Sequence, residues 1–126
     1  MEKKKLELYR KKLLKEKERL RHELTNLSAE NYNAALARSE GAGGDQNFED
    51  HMGDAATDMF DRERDLSLEQ NIRDLVEQVE MALGRIDNGT YGVCAICKKP
   101  IDEARLRAIP YTNLCFEDKK REERPR

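Results

Sequence analysis

What most constrains this chain is the narrowness of its apolar stripes. From residue 3 to about residue 38 there is neither proline nor glycine, and Leu6, Tyr9, Leu13, Leu20, Leu24 and Leu27 fall mostly three, four or seven positions apart. From about residue 54 to 87, Leu68, Ile72, Leu75, Val79, Ala82 and Ile86 step by 4, 3, 4, 3 and 4. Such spacing puts the apolar residues on one side of an α-helix, in a seam too thin to stabilise a helix standing alone. The two segments are expected to bury their stripes against each other or against a second chain. Between them lies Gly41-Ala42-Gly43-Gly44-Asp45. Glycine accepts the positive φ of a chain reversal, so an antiparallel helical hairpin follows. Arms of roughly 30 residues, rising about 1.5 Å per residue, predict a rod on the order of 45 Å long and two helices thick.

Composition removes the main alternatives. Leu, Ile, Val and Phe together number 25 of 126 residues, whereas Ala, Glu, Lys, Leu and Arg number 65. A large globular core is excluded and a mainly α chain is expected. A net charge of -2 lacks the self-repulsion that leaves chains of low hydrophobicity disordered. No run approaches the roughly 20 apolar residues of a membrane span, and Met1-Glu2-Lys3-Lys4-Lys5 opens on charge rather than on an apolar leader, so a cytoplasmic protein is expected.

Helix two is expected to begin near Asp54 or Thr57, whose side-chain oxygens can cap free N–H groups, and to stop at Asn88-Gly89. Gly84 interrupts it at a cost of about 1 kcal/mol relative to alanine, with close packing the one reason on offer. Charge is segregated. Residues 1–22 carry ten bases against four acids, and residues 45–65 carry eight acids against two bases. A solvated face is the plain reading of the acidic run, and carboxylates in a first helical turn also complement the helix dipole. The expected organisation is a coiled-coil hairpin over 1–88, with an acidic tip around 39–65, and a separate small module over 89–126 that closes on a helix near 113–124.

Within that module Cys94-Ala95-Ile96-Cys97 is followed, after 17 residues, by Cys115. Two thiolates two residues apart can hold one Zn²⁺ from a tight turn, and a second pair about 18 residues on completes a tetrahedron. Where the fourth cysteine would stand, there is Asp118. A carboxylate oxygen is an acceptable, harder ligand, so Cys94, Cys97, Cys115 and Asp118 are the candidate set for a structural zinc ion. The alternative is a metal-free knuckle held by Val93, Ile96, Ile101, Leu106, Ile109 and Leu114. His22 and His51 lie far along the chain, the Gly41 to Gly44 stretch lacks the Lys and Ser/Thr of a P-loop, and no Ser/His/Asp arrangement is present. No enzyme is expected.

The order helical arm, acidic turn, helical arm, Cys-x2-Cys, 17 residues, Cys resembles the DksA/TraR family of zinc-finger transcription regulators. The resemblance is carried by Gly89-Thr90-Tyr91-Gly92-Val93-Cys94-Ala95-Ile96-Cys97, then Ile101, Arg105-Leu106, Ala108, Pro110, Leu114 and Cys115, and upstream by Asp65-Leu66-Ser67-Leu68-Glu69. It implies a protein that binds bacterial RNA polymerase without specific DNA contacts, its zinc module docking at the rim of the secondary channel while the hairpin inserts toward the active centre to modulate initiation. It also implies that the hairpin end, here Asp54, Asp58 and Asp61, meets the partner. Members of the family respond to guanosine tetraphosphate, and the residues here identify no site for it. Two departures stand out. The Asp-x-x-Asp-x-Ala of the best-studied hairpin ends aligns with Ala55, Asp58 and Phe60, and Asp118 replaces the fourth cysteine. A coiled-coil and zinc-finger adaptor between proteins is the competing reading. A nucleic-acid module is the third, on nine bases against six acids over residues 98–126 with only Tyr111 and Phe116 to stack.

Overall fold

The computed structural model describes residues 1–41 and 48–124, with side chains described for 1–37 and 56–124. The glycine-rich reversal and the side chains of His51, Asp54 and Ala55 lie outside the described residues. Among those described there are four helices, α1 (Lys3–Gly41), α2 (Phe48–Asn88), α3 (Glu103–Ala108) and α4 (Phe116–Glu123), with one isolated bridge between Val93 and Pro100. The chain is mainly α, and no described helix is long and apolar enough to cross a membrane. It packs as two compact units: one combines Met1–Arg19 with Leu75–Arg126, the other is Leu20–Asp74.

In the first unit the start of α1 runs antiparallel to the end of α2. Tyr9 and Leu13 are buried from one side, Val79, Ala82 and Ile86 from the other. Arg10 pairs with Asp87 at 2.8 Å and Lys17 with Glu80 at 3.4 Å, which sets the register. These exposed pairs add little stability beside apolar burial, where a side chain such as Leu13 contributes roughly 1.5–3 kcal/mol. The seam then continues into the module. Tyr91 stacks obliquely on Tyr9, with ring centroids 5.5 Å apart, and donates its hydroxyl to the Pro110 carbonyl at 2.7 Å.

α2 ends at Asn88-Gly89 by a mechanism the backbone makes explicit. Gly89 sits at φ 76°, its N–H bonds to the Ile86 carbonyl at 3.3 Å, and Thr90 N–H bonds to the Arg85 carbonyl at 2.9 Å. Those two bonds are a Schellman stop. Its start differs from expectation. The helix begins at Phe48, so residues 54 and 57 lie inside it rather than capping it. Nothing between Phe48 and Thr57 breaks a helix except Gly53, whose cost of about 1 kcal/mol a long helix absorbs. Gly84 differs too: a Cβ built there meets nothing within 4 Å, so close packing does not explain it.

The second unit has a different seam. Leu20 is buried and Leu24, Leu27 and Ile72 are half-buried, but Leu68, assigned to the stripe by its spacing, is 44 % exposed. Glu69 takes the inward position, with Asp65, Asp61 and Asp58 behind it. Leu68 and Glu69 both lie within a turn of Ile72, and a partner across the seam decides between them: Asn31 Nδ2 donates to Glu69 Oε1 at 2.6 Å and to the Asp65 carbonyl at 3.4 Å. The apolar stripe thus gives way to a polar one.

Candidate metal centre

The cysteine module is a pair of knuckles on a small apolar frame. Gly92 at φ 81° and Lys98 at φ 63° bracket the first turn. Within it Cys94 N–H bonds to the Lys99 carbonyl at 2.9 Å, Lys98 N–H to the Cys94 carbonyl at 3.0 Å, and Ile101 N–H to the Gly92 carbonyl at 2.8 Å. The reversal aims both sulfurs to one side. The second knuckle leads into α4: Cys115 is the N-cap residue, Asp118 follows three positions later on the same face, and Lys119 N–H closes on the Cys115 carbonyl at 3.0 Å. Ala95 N–H to the Asn113 carbonyl, at 2.9 Å, ties the knuckles together.

The frame is narrower than the sequence suggested. Ile101, Leu106 and Leu114 are buried and Ile109 is half-buried, whereas Val93 and Ile96 are 38 % and 60 % exposed. Ile96 lies between the two cysteines, where a tight reversal turns side chains to solvent, and Val93 precedes Cys94 on the isolated bridge to Pro100. α3 was not legible in advance because six residues are too few to show a helical period. Its single buried residue, Leu106, is what docks it. Two arginines hold the second knuckle from outside, Arg105 Nε to the Leu114 carbonyl at 3.0 Å and Arg85 to the Tyr111 carbonyl at 3.1 Å. The sequence marks Arg105 as part of the resemblance and as charge, but not as the donor that holds this knuckle.

The structure brings Cys94, Cys97, Cys115 and Asp118 together, with one donor atom from each lying within 4.8 Å of the others. Cys97 and Cys115 sulfurs are 3.9 Å apart. A tetrahedral Zn²⁺ with Zn–S bonds of about 2.3 Å sets S···S edges of about 3.8 Å, so the sulfur spacing fits that ion. Asp118 is 4 % exposed and its Oδ2 accepts from Cys94 Sγ at 3.0 Å and Cys115 Sγ at 3.2 Å. Thiols are weak donors, and the nearest cation, Arg121, is 3.7 Å from the other oxygen. A buried carboxylate so modestly partnered, facing three sulfurs, suits a site built for a positive ion.

The electrostatics agree. Hydrogen bonds from Cys94, Cys97 and Cys115 hold the Asp118 carboxyl below its ordinary range, against the effect of burial. The Lys99 N–H favours the Cys97 thiolate, but Asp118, burial and the two neighbouring sulfurs outweigh it and push that thiol up to about 11. Burial and Asp118 likewise oppose the Cys94 thiolate, yet backbone N–H groups of Cys115, Cys97 and Ile96 leave that thiol below its usual value.

The tip candidates fall in the second unit. Asp58 lines an open groove of about 730 Å³ together with Asn31, Tyr32, Arg62, Asp65 and Glu69. Asp61, half-buried, lies 3.9 Å from Arg64. The pairing of Asn31 with an inward Glu69 is not visible in the sequence, since a polar residue inside a heptad carries no signal until its partner is known.

Residues 89–124 match the family described as the prokaryotic dksA/traR C4-type zinc finger. The uncharacterized protein YteA of Bacillus subtilis is 40% identical over 63 residues, 50% of this chain and 26% of that protein. The RNA polymerase-binding transcription factor DksA of Caulobacter vibrioides is 34% identical over 73 residues, 58% of this chain and 51% of that one. The chain thus spans between a quarter and about half the length of these relatives. Its fold is that of the transcription factor DksA2 from Pseudomonas aeruginosa, with a TM-score of 0.76 and 24% identity over 98% of this chain and 86% of that one.

Proposed function

We propose that this chain, whose C-terminal module is a zinc finger of the DksA/TraR type, is a transcription regulator that binds bacterial RNA polymerase. The observation that carries this reading is the pairing of a DksA-like hairpin fold with a four-donor cluster in the module. Cys94, Cys97, Cys115 and Asp118 would hold Zn²⁺, which supplies a redox-inert cross-link between the knuckles. The residues around it do the rest. Arg85 and Arg105 fix the second knuckle, Tyr91 joins the module to α1 through Tyr9, and the first unit presents a rigid surface suited to the rim of the secondary channel.

In this reading the hairpin enters the channel and its carboxylates act near the active centre, where hard oxygen donors and negative charge favour interaction with Mg²⁺ and the elements beside it. Asp58 and Asp61, together with Asp54, are the residues proposed to do so. Phe60 is 71 % exposed, a bulky side chain where the well-studied hairpin ends carry alanine, so the regulatory outcome is expected to differ from theirs.

The test is a pull-down with purified core RNA polymerase, comparing the intact chain with one lacking residues 39–65. Retention of the intact chain, weakening with salt, supports the reading. No association with core polymerase ends it. Asp58→Asn should keep binding while abolishing any effect on initiation in vitro.

A further inference from the structure

The first unit carries a feature that metal binding does not use. Along the outer face of α1 and against α3 run two adjoining grooves of about 420 and 460 Å³, both lined by Lys12, Lys15 and Arg107. Lys11 and Leu8 line the first and Tyr111 the second. Lys11, Lys15 and Arg107 are exposed and have no ion-pair partner among the described residues, while Lys12 lies only over the Tyr9 ring, at 5.9 Å. Lys5 and Arg19 also line the grooves, each against an acid that lines them too, Glu103 at 3.2 Å and Glu16 at 2.6 Å, which leaves Lys11, Lys12, Lys15 and Arg107 as an excess of four cations, mutually unfavourable until an anion neutralises them. The floor is apolar: Leu8 is 62 % exposed, and lysine stems flank it.

The chemistry of the occupant follows from floor and rim together. A nucleic acid would meet the cations with its phosphates but leave the exposed Leu8 uncovered, and the ring at the floor, Tyr9, is 5 % exposed and offers no face to a base. A polypeptide bearing carboxylates beside an exposed apolar side chain satisfies both elements. This chain contains such a segment. In α2, Met59 and Phe60 are 64 % and 71 % exposed and stand between Asp58 and Asp61, with Glu63 next along the helix. The charges match in sign and size, since residues 1–22 carry a net of +6 and residues 45–65 a net of -6.

We propose that the basic groove of the first unit is a docking surface for the acidic stretch of α2 in a second copy of this chain, Phe60 covering Leu8 while Asp61 and Glu63 meet Lys12, Lys15 and Arg107. The surface stands independently of the polymerase reading. Self-association of this kind occupies the acidic residues and leaves them accessible only when the copies separate.

The test is sedimentation velocity of the full chain with zinc and reductant in about 0.05 M and about 0.3 M salt, between which the Debye length shortens from roughly 14 to 6 Å. A dimer is expected in low salt, weakened at least about tenfold in the higher salt, as attraction between exposed charges requires. The double variant Lys15→Glu with Arg107→Glu should be monomeric, as should Asp61→Lys with Glu63→Lys. Mixing the two variants should restore a one-to-one complex, with circular dichroism unchanged throughout because Lys15, Glu63 and Arg107 are exposed and Asp61 is only half-buried. A chain that sediments as a monomer in low salt at every concentration overturns the proposal. So does a dimer indifferent to both variants, or a mixture of variants that stays monomeric.

Discussion

Replacing Gly84 by alanine should stabilise the first unit, and the size of the effect can be worked out from its surroundings. Gly84 lies inside α2, one turn before the Asn88-Gly89 stop, between the buried Ala82 and Ile86. A glycine in a helix interior costs about 0.8–1.0 kcal/mol relative to alanine, because its backbone has more freedom to lose. In many proteins that gain is cancelled by a clash. Here an added Cβ meets no atom within 4 Å, and φ is not in the left-handed region. The methyl also lands in open space, so it adds no burial. The expected change is therefore the propensity difference alone, about 1 kcal/mol, equivalent to roughly 4 °C in Tm for a chain of this size. Urea unfolding at fixed zinc and reductant would read it as a midpoint raised by about 0.5 M with slope unchanged, given slopes of about 2 kcal/mol/M. A neutral or lowered midpoint would refute the reasoning, since it would require the methyl to meet an obstacle that the structure lacks.

Asp118→Cys should tighten Zn²⁺ binding, since a thiolate is the softer and stronger donor, and competition with a chromogenic chelator would show it; Cys94→Ser or chelation should loosen the module while sparing most of the helical circular dichroism. For the metal-free, reduced chain the pH limits follow in sign. Asp118 is held below its ordinary value, so its contribution to stability is present above about pH 4 and lost as pH falls through the folded-state value. Cys97 is raised to about 11, so its contribution is complete below about pH 8.5 and lost as pH rises toward 11. Cys94, held below its usual value, works the other way, its contribution growing as pH rises toward about 8.5; urea midpoints should therefore reach a maximum at about pH 8.5 and fall above it, and continued stabilisation above pH 9 would contradict the assignment. Asn31→Ala leaves the Glu69 carboxylate without its donor and should cost about 1 kcal/mol. Amide exchange should accelerate around residues 31 and 69 but not at Val79.

The hairpin was legible because its stripes are periodic and only glycine interrupts them. Tyr9, Leu13, Val79, Ala82 and Ile86 are buried as their spacing required. That spacing failed at Leu68, where the choice between neighbours on one helical turn depends on Asn31, 38 positions away from Glu69. Helix caps misled for a related reason: Asp54 and Thr57 are good N-cap residues, but a cap is used only where the preceding chain cannot stay helical. In the module, Cys-x2-Cys spacing located the cluster and Asp118 within it. The arginines that hold the second knuckle, and the cationic groove shared by α1 and α3, required tertiary placement to be seen.

The first unit is assembled from the two ends of the chain, Met1–Arg19 and Leu75–Arg126, with all of Leu20–Asp74 between them in sequence. Closing so long a loop must precede the contacts that reward it, such as Tyr9 on Tyr91. During synthesis the opening turns of α1 leave the ribosome well before the cysteines that complete their surroundings. The interval belongs to the hairpin, which is free to zip first, so the cysteine module matures after it, and a nascent chain stalled before Leu75 would leave Tyr9 and Leu13 without the Val79, Ala82 and Ile86 that cover them.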